Sequence, residues 1–424
     1  MPDRRSYPEK FERIARQTPF PHLPRHTRGH VRRLAHHYRF TLQELRTVTE
    51  IAQDLAMWRT ELSGLWPLDG EEGREAKKSR LRNLQRQWQR LKHEPNRYRG
   101  VAAVALPKPV ARERDKGGLG LGTCPVASPR TRCCNLLTLD AVDNCGYGCS
   151  YCSIQSFFSG HEVFFDPHFG ERLEALEIDP ERIYHIGTGQ SSDSLMWGNS
   201  HGVLDALIAF ARRHPNVILE LKTKSANIGH LLRRPLPPNL LCTWSLNPPL
   251  IVDHEEHGTA SLQKRLQAAE RLARKGVIVG FHLHPMVHFD GWQQAYGDLI
   301  DQLQRRFDPA DVAMVSLGTL TFIRPVIRRI RERGLDSQIL KLPLEETNGK
   351  LSYPEAVKRE LFRHAWNCFA PSWREQVFFY LCMESDALWQ PVFGHSYPDN
   401  LAFEAAMKRH YMEKILSRVR SGRD

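Results

Sequence analysis

Apolar residues recur through the first hundred positions at the spacing of a helix. Leu42, Leu45, Val48, Ile51, Leu55, Trp58 and Leu62 follow one another at intervals of three or four, which puts them on one face of a long amphipathic helix. Thr41-Leu-Gln-Glu44 just ahead of them has the pattern of a capping box. After a stretch rich in Gly and Pro between positions 64 and 73, Leu81, Leu84, Trp88 and Leu91 repeat the spacing among many Arg, Lys and Gln. The two runs predict an antiparallel helical hairpin whose apolar stripe is core packing and whose Arg-rich face is free to meet phosphate.

The rhythm then changes. Residues 107–129 carry Pro, Gly and alternating charge without periodicity and read as a linker. Beyond it, short β-branched or apolar runs alternate with helical patterns: Leu136 to Val142, Ile183 to Gly187, Val217 to Leu221, Leu240 to Leu246, Val277 to Leu283 and Val312 to Leu317. Helices are expected at His201 to Arg213, Ser261 to Lys275, Trp292 to Arg306 and Phe322 to Arg333. Successive strand-helix units imply parallel strands with right-handed crossovers, hence an α/β fold with a six-unit partial barrel or related sheet. Chemistry in such folds sits at the C-terminal ends of the strands. Glu346-Thr-Asn348-Gly349-Lys350 signals a hairpin turn, and helices follow around Tyr353 to Phe369 and Asn400 to Arg418. The expected organisation is a basic helical extension over 1–106, a linker over 107–129, a catalytic core over 130–340 and a small cap over 341–424.

Composition narrows the class. With 41% hydrophobic and 25% charged residues in 424, the chain has the balance of a soluble globular protein. No apolar run approaches the roughly 18 residues a spanning helix needs, and Met1 to Arg16 is charged and lacks the apolar stretch of a secretory signal. The expectation is a cytoplasmic protein with no membrane association. Nine cysteines, an odd number without a signal, argue for reduced thiols over a disulfide framework. The net charge is +12, and residues 1–100 hold 22 Lys and Arg against 12 Asp and Glu, a local excess of 10. A basic segment of this kind favours a polyanion such as nucleic acid; a solvated basic face is the other reading.

The sharpest signal follows the first expected strand of the core. Asn144-Cys145-Gly-Tyr-Gly-Cys149-Ser-Tyr-Cys152 gives the spacing C-x3-C-x2-C. Three thiolates can each bind one iron of a [4Fe-4S] cluster and leave the fourth iron without a protein ligand. In radical chemistry that iron takes the amino and carboxylate end of S-adenosyl-L-methionine, whose reductive cleavage gives a 5′-deoxyadenosyl radical. A zinc site is the rival, with His161 the nearest candidate for the missing fourth ligand. Cys124, Cys133 and Cys134 read as free thiols or an auxiliary cluster, and Cys242, Cys368 and Cys382 as small buried hydrophobes. In Phe281-His-Leu-His284, alternation puts His282 and His284 on one strand face, as pocket lining, a metal pair or satisfied polar residues.

From the cysteine loop to about Arg333 the sequence resembles the spore photoproduct lyase family of radical S-adenosylmethionine enzymes. The resemblance rests on the cysteine motif with Tyr151 and Ile154-Gln155, on Ser192-Asp193, Thr223-Lys224 and Trp244-Ser245-Leu-Asn247, and on Gly280-Phe281 through Gly291-Trp292. It implies a partial (β/α)6 radical SAM barrel with Cys145, Cys149 and Cys152 as cluster ligands. It further implies cofactor contacts from Ser192, Asp193, Lys224, Ser245 and Asn247, and a radical relay in which Tyr147 and Tyr151 are candidates. The implied activity is carbon-carbon lyase chemistry on a DNA photolesion, with DNA as partner and an electron donor such as flavodoxin or ferredoxin.

Three departures qualify that expectation. Gln190 stands where the family has its hydrogen-donating cysteine, and an amide cannot replace a thiol in that role. Ser153 stands where the family has a tyrosine. Glu345-Glu346 replaces an Arg-Tyr pair in a C-terminal hairpin where Lys350 and Tyr353 match DNA-facing residues, and adjacent carboxylates repel phosphate. Tyr147, Tyr151, Tyr184 and Cys242 are the candidate substitutes for the donor. The alternatives are therefore a radical enzyme modifying RNA or a peptide, and a non-catalytic nucleic-acid-binding protein with a structural metal. The sequence leaves the oligomeric state open.

Overall fold

A computed structural model of the chain describes residues 6–69, 73–98, 106–119, 121–124, 131–158, 160–347 and 349–421. They gather into two compact units. The first takes the residues up to 98 together with 150–156 and 321–353, and the second takes the rest.

In the first unit the extension forms five helices, α1 (Tyr7–Ala15), α2 (Arg25–Tyr38), α3 (Leu42–Met57), α4 (Leu62–Leu65) and α5 (Arg74–His93). The expected hairpin is α3 and α5; α1, α2 and α4 are additional. The capping box forms, with the Glu44 amide donating to Thr41 Oγ1 at 3.3 Å and the Thr41 amide to Glu44 Oε2 at 2.8 Å. Phe11, Leu34, Phe40, Leu45, Leu55 and Trp66 fill the core. Asp54 lies inside it with no exposed surface and accepts from Arg331 Nε at 2.7 Å, Arg331 Nη2 at 2.9 Å and Trp88 Nε1 at 3.1 Å. One carboxylate thus ties α3 to α5 and to the helix Arg324–Arg333. Such a pair is retained only when its oxygens are satisfied this fully, because desolvating both charges costs several kcal/mol. A small antiparallel sheet joins Thr321–Phe322, Lys350–Ser352 and Glu345–Thr347.

The second unit is built on a curled eight-stranded sheet. Its strands are β1 (Gly122–Thr123), β2 (Leu137–Leu139), β3 (Tyr184–Thr188), β4 (Val217–Thr223), β5 (Leu240–Ser245), β6 (Val279–Met286), β7 (Val312–Thr319) and β8 (Phe378–Leu381). They lie side by side in chain order, all parallel except β1, which runs antiparallel to β2. The six expected runs are all present as β2 to β7, and β1 and β8 extend the sheet at its edges. The expected crossover helices stand at Val203–Arg213, Leu262–Arg274 and Trp292–Arg306, whereas the helix expected after β7, Arg324–Arg333, belongs to the first unit. Helices Glu355–Cys368 and Asn400–Ser421 follow in the C-terminal part. Arg132 forms an isolated antiparallel bridge to Glu384 and an ion pair with Asp386 at 2.7 Å, so the segment entering β2 meets the segment leaving β8. The two edges of the half-barrel are drawn together there. Among the described residues no helix is long and apolar enough to cross a membrane.

Candidate active site

The cysteine loop leaves the C-terminal end of β2 by way of the short strand Val142–Asp143. It turns at Asn144, which takes a φ of +66° and whose Nδ2 donates to the Glu162 carbonyl at 2.8 Å. Cys145 Sγ accepts from the Tyr147 amide at 3.5 Å, the kind of donor that steadies a thiolate, and the Gly148 amide donates to the His257 carbonyl at 2.9 Å. A side chain at Gly146 would put its Cβ 2.2 Å from Met196 Cε and 3.0 Å from Trp197 Cη2, so the loop lies close against the turn that follows β3 and any larger residue there would have to displace the Met196 side chain. Cys149 is buried and Cys145 and Cys152 are partly exposed.

The segment 150–156 belongs to the first unit, where Gln155 Nε2 donates to the carbonyls of Ser150 and Cys152 at 2.9 and 3.0 Å, and Arg333 Nη1 donates to Gln155 Oε1 at 2.9 Å. One amide side chain therefore folds the backbone around Cys152. Among the described residues no three His, Cys, Asp or Glu side chains converge on a point where a single ion could touch them all. His161, the candidate fourth zinc ligand, is exposed. A four-iron cube asks for something different, three soft thiolates each on its own iron, and this donor set fits it.

The other expected site residues stand where β3, β4 and β5 end. Asp193 is buried and its Oδ1 accepts from the amides of Leu195 and Met196 at 3.1 and 2.9 Å and from Thr223 Oγ1 at 2.7 Å, while Oδ2 accepts from the Lys224 amide at 2.7 Å. Burial pushes its carboxyl above the usual range even against these bonds. Asp193 thus pins the loop after β3 to the end of β4 and fixes the backbone that carries Lys224. Ser192 Oγ accepts from Trp197 Nε1 at 3.3 Å. Ser245 closes β5, and its carbonyl accepts from Arg265 Nη1 at 2.8 Å. Arg265 has no exposed surface; it also donates to Glu256 Oε2 at 2.5 Å, to Thr259 Oγ1 at 2.6 Å and to the Ala260 carbonyl at 2.8 Å. Asn247 joins the same buried network, donating to Glu256 Oε1 at 3.0 Å and accepting from the Tyr296 hydroxyl at 2.9 Å. Burial, with Asp193 beside it, pushes the Tyr147 phenol far above its ordinary value, so the hydroxyl keeps its proton. Tyr151 is buried in the first unit.

Inside the barrel a polar network replaces an apolar filling. Glu220 Oε2 accepts from His185 Nε2 at 2.8 Å, and Oε1 accepts from His282 Nε2 at 2.9 Å and from Thr243 Oγ1 at 2.7 Å. With His282 Nε2 donating, its Nδ1 is left to accept from Ser316 Oγ at 2.6 Å. His284 lies two residues further along the same face, and Gly318 is glycine because a Cβ there would come within 2.8 Å of the His284 ring.

Two expected hydrogen donors fall away on geometry. Tyr184 opens β3 and so lies at the end of the barrel opposite the site, with Arg182 over its ring at 5.5 Å. Cys242 precedes Thr243, and since Thr243 faces inward, alternation turns Cys242 outward onto the helices.

Cys382, expected as a small buried hydrophobe, shares its surroundings with Cys124 and Cys133 near Lys222, and burial raises its thiol strongly. Cys133 hydrogen-bonds Cys134 and holds that thiol up as well. The sequence holds no signal for this gathering, which depends on the Arg132 and Glu384 bridge, nor for Glu220, an acid inside an apolar run, nor for Arg265, one basic residue among several on a polar helix.

A family model described as spore photoproduct lyase matches residues 174–355. That stretch contains Ser192 to Asn247 and begins after the cysteine loop. Among curated proteins, the spore photoproduct lyase of Geobacillus sp. (strain Y412MC61) is 26% identical over 230 residues, covering 50% of this chain and 67% of that protein. The one of Bacillus subtilis (strain 168) is 31% identical over 135 residues, 31% of this chain and 39% of the relative. A solved spore photoproduct lyase complexed with dinucleoside spore photoproduct superposes with a TM-score of 0.55 at 20% identity, over 64% of this chain and 82% of that one. A double mutant of spore photoproduct lyase with bound AdoMet and dinucleoside spore photoproduct gives 0.54 at 17% identity, over 80% and 96%. At these identities the structural likeness is one of fold, and it matches the curled half-barrel.

Proposed function

We propose that this chain, a relative of the spore photoproduct lyases, is a radical S-adenosylmethionine enzyme that removes a hydrogen atom from a nucleic-acid substrate, with DNA photolesion repair the favoured reaction. The observation that carries the reading is the C-x3-C-x2-C set of Cys145, Cys149 and Cys152 in the loop leaving the C-terminal end of a strand in a sequentially ordered, parallel half-barrel. Those three residues would hold a [4Fe-4S] cluster. When bound, the cluster supplies one electron to S-adenosylmethionine and so a 5′-deoxyadenosyl radical.

The chain's own part is positioning. Lys224, held by Asp193 through its backbone, offers an ammonium to the cofactor carboxylate, and Ser192 and Ser245 offer hydroxyls at neighbouring strand ends. Asn247 keeps the segment after β5 in place through Glu256 and Tyr296. Tyr147, with its proton retained, is the first candidate for passing a hydrogen atom, and Tyr151 the second. The helical extension over 1–106, the core over 130–340 and the cap over 341–424 divide the labour between substrate grip and chemistry. A reducing cytoplasm with a flavodoxin or ferredoxin suits the cluster.

Anaerobic reconstitution tests this directly. Four irons per chain are expected, and dithionite with S-adenosylmethionine should release 5′-deoxyadenosine, whereas Cys149→Ala should do neither. Continued cleavage by that variant would remove the site assignment, and zinc in place of iron would favour a structural metal.

Gln190 and the exposed Glu345 and Glu346 favour a second reading in which the same radical acts on RNA or a peptide. Restored thymidine from ultraviolet-treated oligonucleotide would decide for DNA repair.

A further inference from the structure

The first unit contains a large cavity that the chemistry above does not use. It has a volume of about 880 Å³ and is walled by the turn between α1 and α2, by α3, by the end of α5 and by the helix Arg324–Arg333. Six cations line it, Arg16, Arg46, Lys92, Arg324, Arg328 and Arg331, against two carboxylates, Glu50 and Glu332.

Several of these charges are already balanced. Arg331 is held by Asp54 at 2.7 Å, Arg328 pairs with Glu332 at 2.8 Å, and Arg324 reaches Glu346 at 2.9 Å. Arg46 meets only a carbonyl, that of Gln17 at 3.4 Å. Lys92 sits 4.2 Å from the centre of the Trp88 ring. Among the described residues neither of these, nor Arg16, has a carboxylate within ion-pair distance. Burial lowers the Lys92 ammonium against the attraction of Asp54, and Arg331 adds to the lowering, so an anion entering here would relieve part of the cost the fold now carries.

We propose that this groove holds the phosphodiester backbone of a nucleic-acid strand. Cations from four separate elements lining one partly open cavity are what a repeating anion needs, and the excess of 10 positive charges in residues 1–100 would draw it in. The inference rests on the nucleic-acid reading of the site and adds where that polymer is gripped. The same phosphate chemistry could come from a free nucleotide, so the test needs both.

The measurement is fluorescence anisotropy of a labelled single-stranded oligonucleotide with the reconstituted full chain across a salt series, for the native protein and for Arg16→Gln with Arg46→Gln. Both side chains are exposed, so the fold should be kept, and melting temperature and iron content check that. Two lost phosphate contacts should flatten the slope of log K against log salt by about 1.4 on a single strand. Glu50→Gln, which removes a lining carboxylate, should tighten binding. Arg86→Gln with Arg90→Gln makes the same charge change on exposed positions of α5 outside the cavity and should leave the slope unaltered.

Equal losses from both double variants, or no loss from the first, would overturn the proposal while oligonucleotide binding by the native chain keeps the nucleic-acid reading alive. ATP competing as well as an oligonucleotide of equal phosphate concentration would make the groove a nucleotide site instead. No binding by the native chain at any salt would remove both the groove and the substrate class, without touching cofactor cleavage.

Discussion

Burial alone would force a proton onto Glu220, yet hydrogen bonds from His185 and His282 outweigh it and hold the carboxyl well below its ordinary range. The imidazoles bear the complementary cost. Burial, reinforced by Lys222, lowers His282 to about 4 against 6.5 for a free histidine, and His284 moves the same way for the same reasons. Between those two values the unfolded chain takes up a proton that the folded chain refuses. Stability is therefore complete above about pH 6.5 and drains away as pH falls toward 4. From His282 the loss should be about 2 kcal/mol between pH 6.5 and 5. Denaturant melts at several pH values would measure it, and His282→Gln should be less stable at pH 7 but flatter below; parallel profiles would exclude this imidazole. Alternation in the sequence placed His282 and His284 on one face. The partner of His282 could not be read, because Glu220 lies 62 residues away in a run that looks like any buried strand.

Elements were legible in proportion to their length and to how plainly they alternate. Trp292–Arg306 has the bounds its periodicity predicts, and α3 begins at the capping box. That box supplies its own test: Thr41→Ala should cost about 1 kcal/mol by thermal melting, since the Glu44 amide loses its acceptor, whereas Thr41→Ser should restore most of it. β8 went unread because four apolar residues between helical patterns do not declare a strand. α2 was obscured differently. Its apolar positions Val31, Leu34, Ala35 and Tyr38 have helical spacing, but Arg and His on every side make the segment look like a solvated basic stretch.

At the level of the whole chain, charge excess could be counted from the sequence, yet its gathering could not. Arg331 reaches Asp54 across 277 positions, so the cavity between α3 and the Arg324–Arg333 helix exists only once the chain has folded. The cysteine loop was legible for the opposite reason, since its donors lie within one short stretch and chain continuity does the placing. The barrel's sequential order has a cost that its last strand offsets. All of β7 is buried, and without β8 along Met314 to Leu317 its unpaired amides and carbonyls would form an open flank. Strands of two and four residues at the two margins offer little template for another molecule to pair with. Loosening β8 should therefore reveal itself as stickiness between molecules before it reveals itself as lost catalysis. Phe379→Pro, which interrupts that strand, is expected to raise light scattering at micromolar concentration and to load iron poorly as a result. In a cell, such a variant would be a substrate for chaperones.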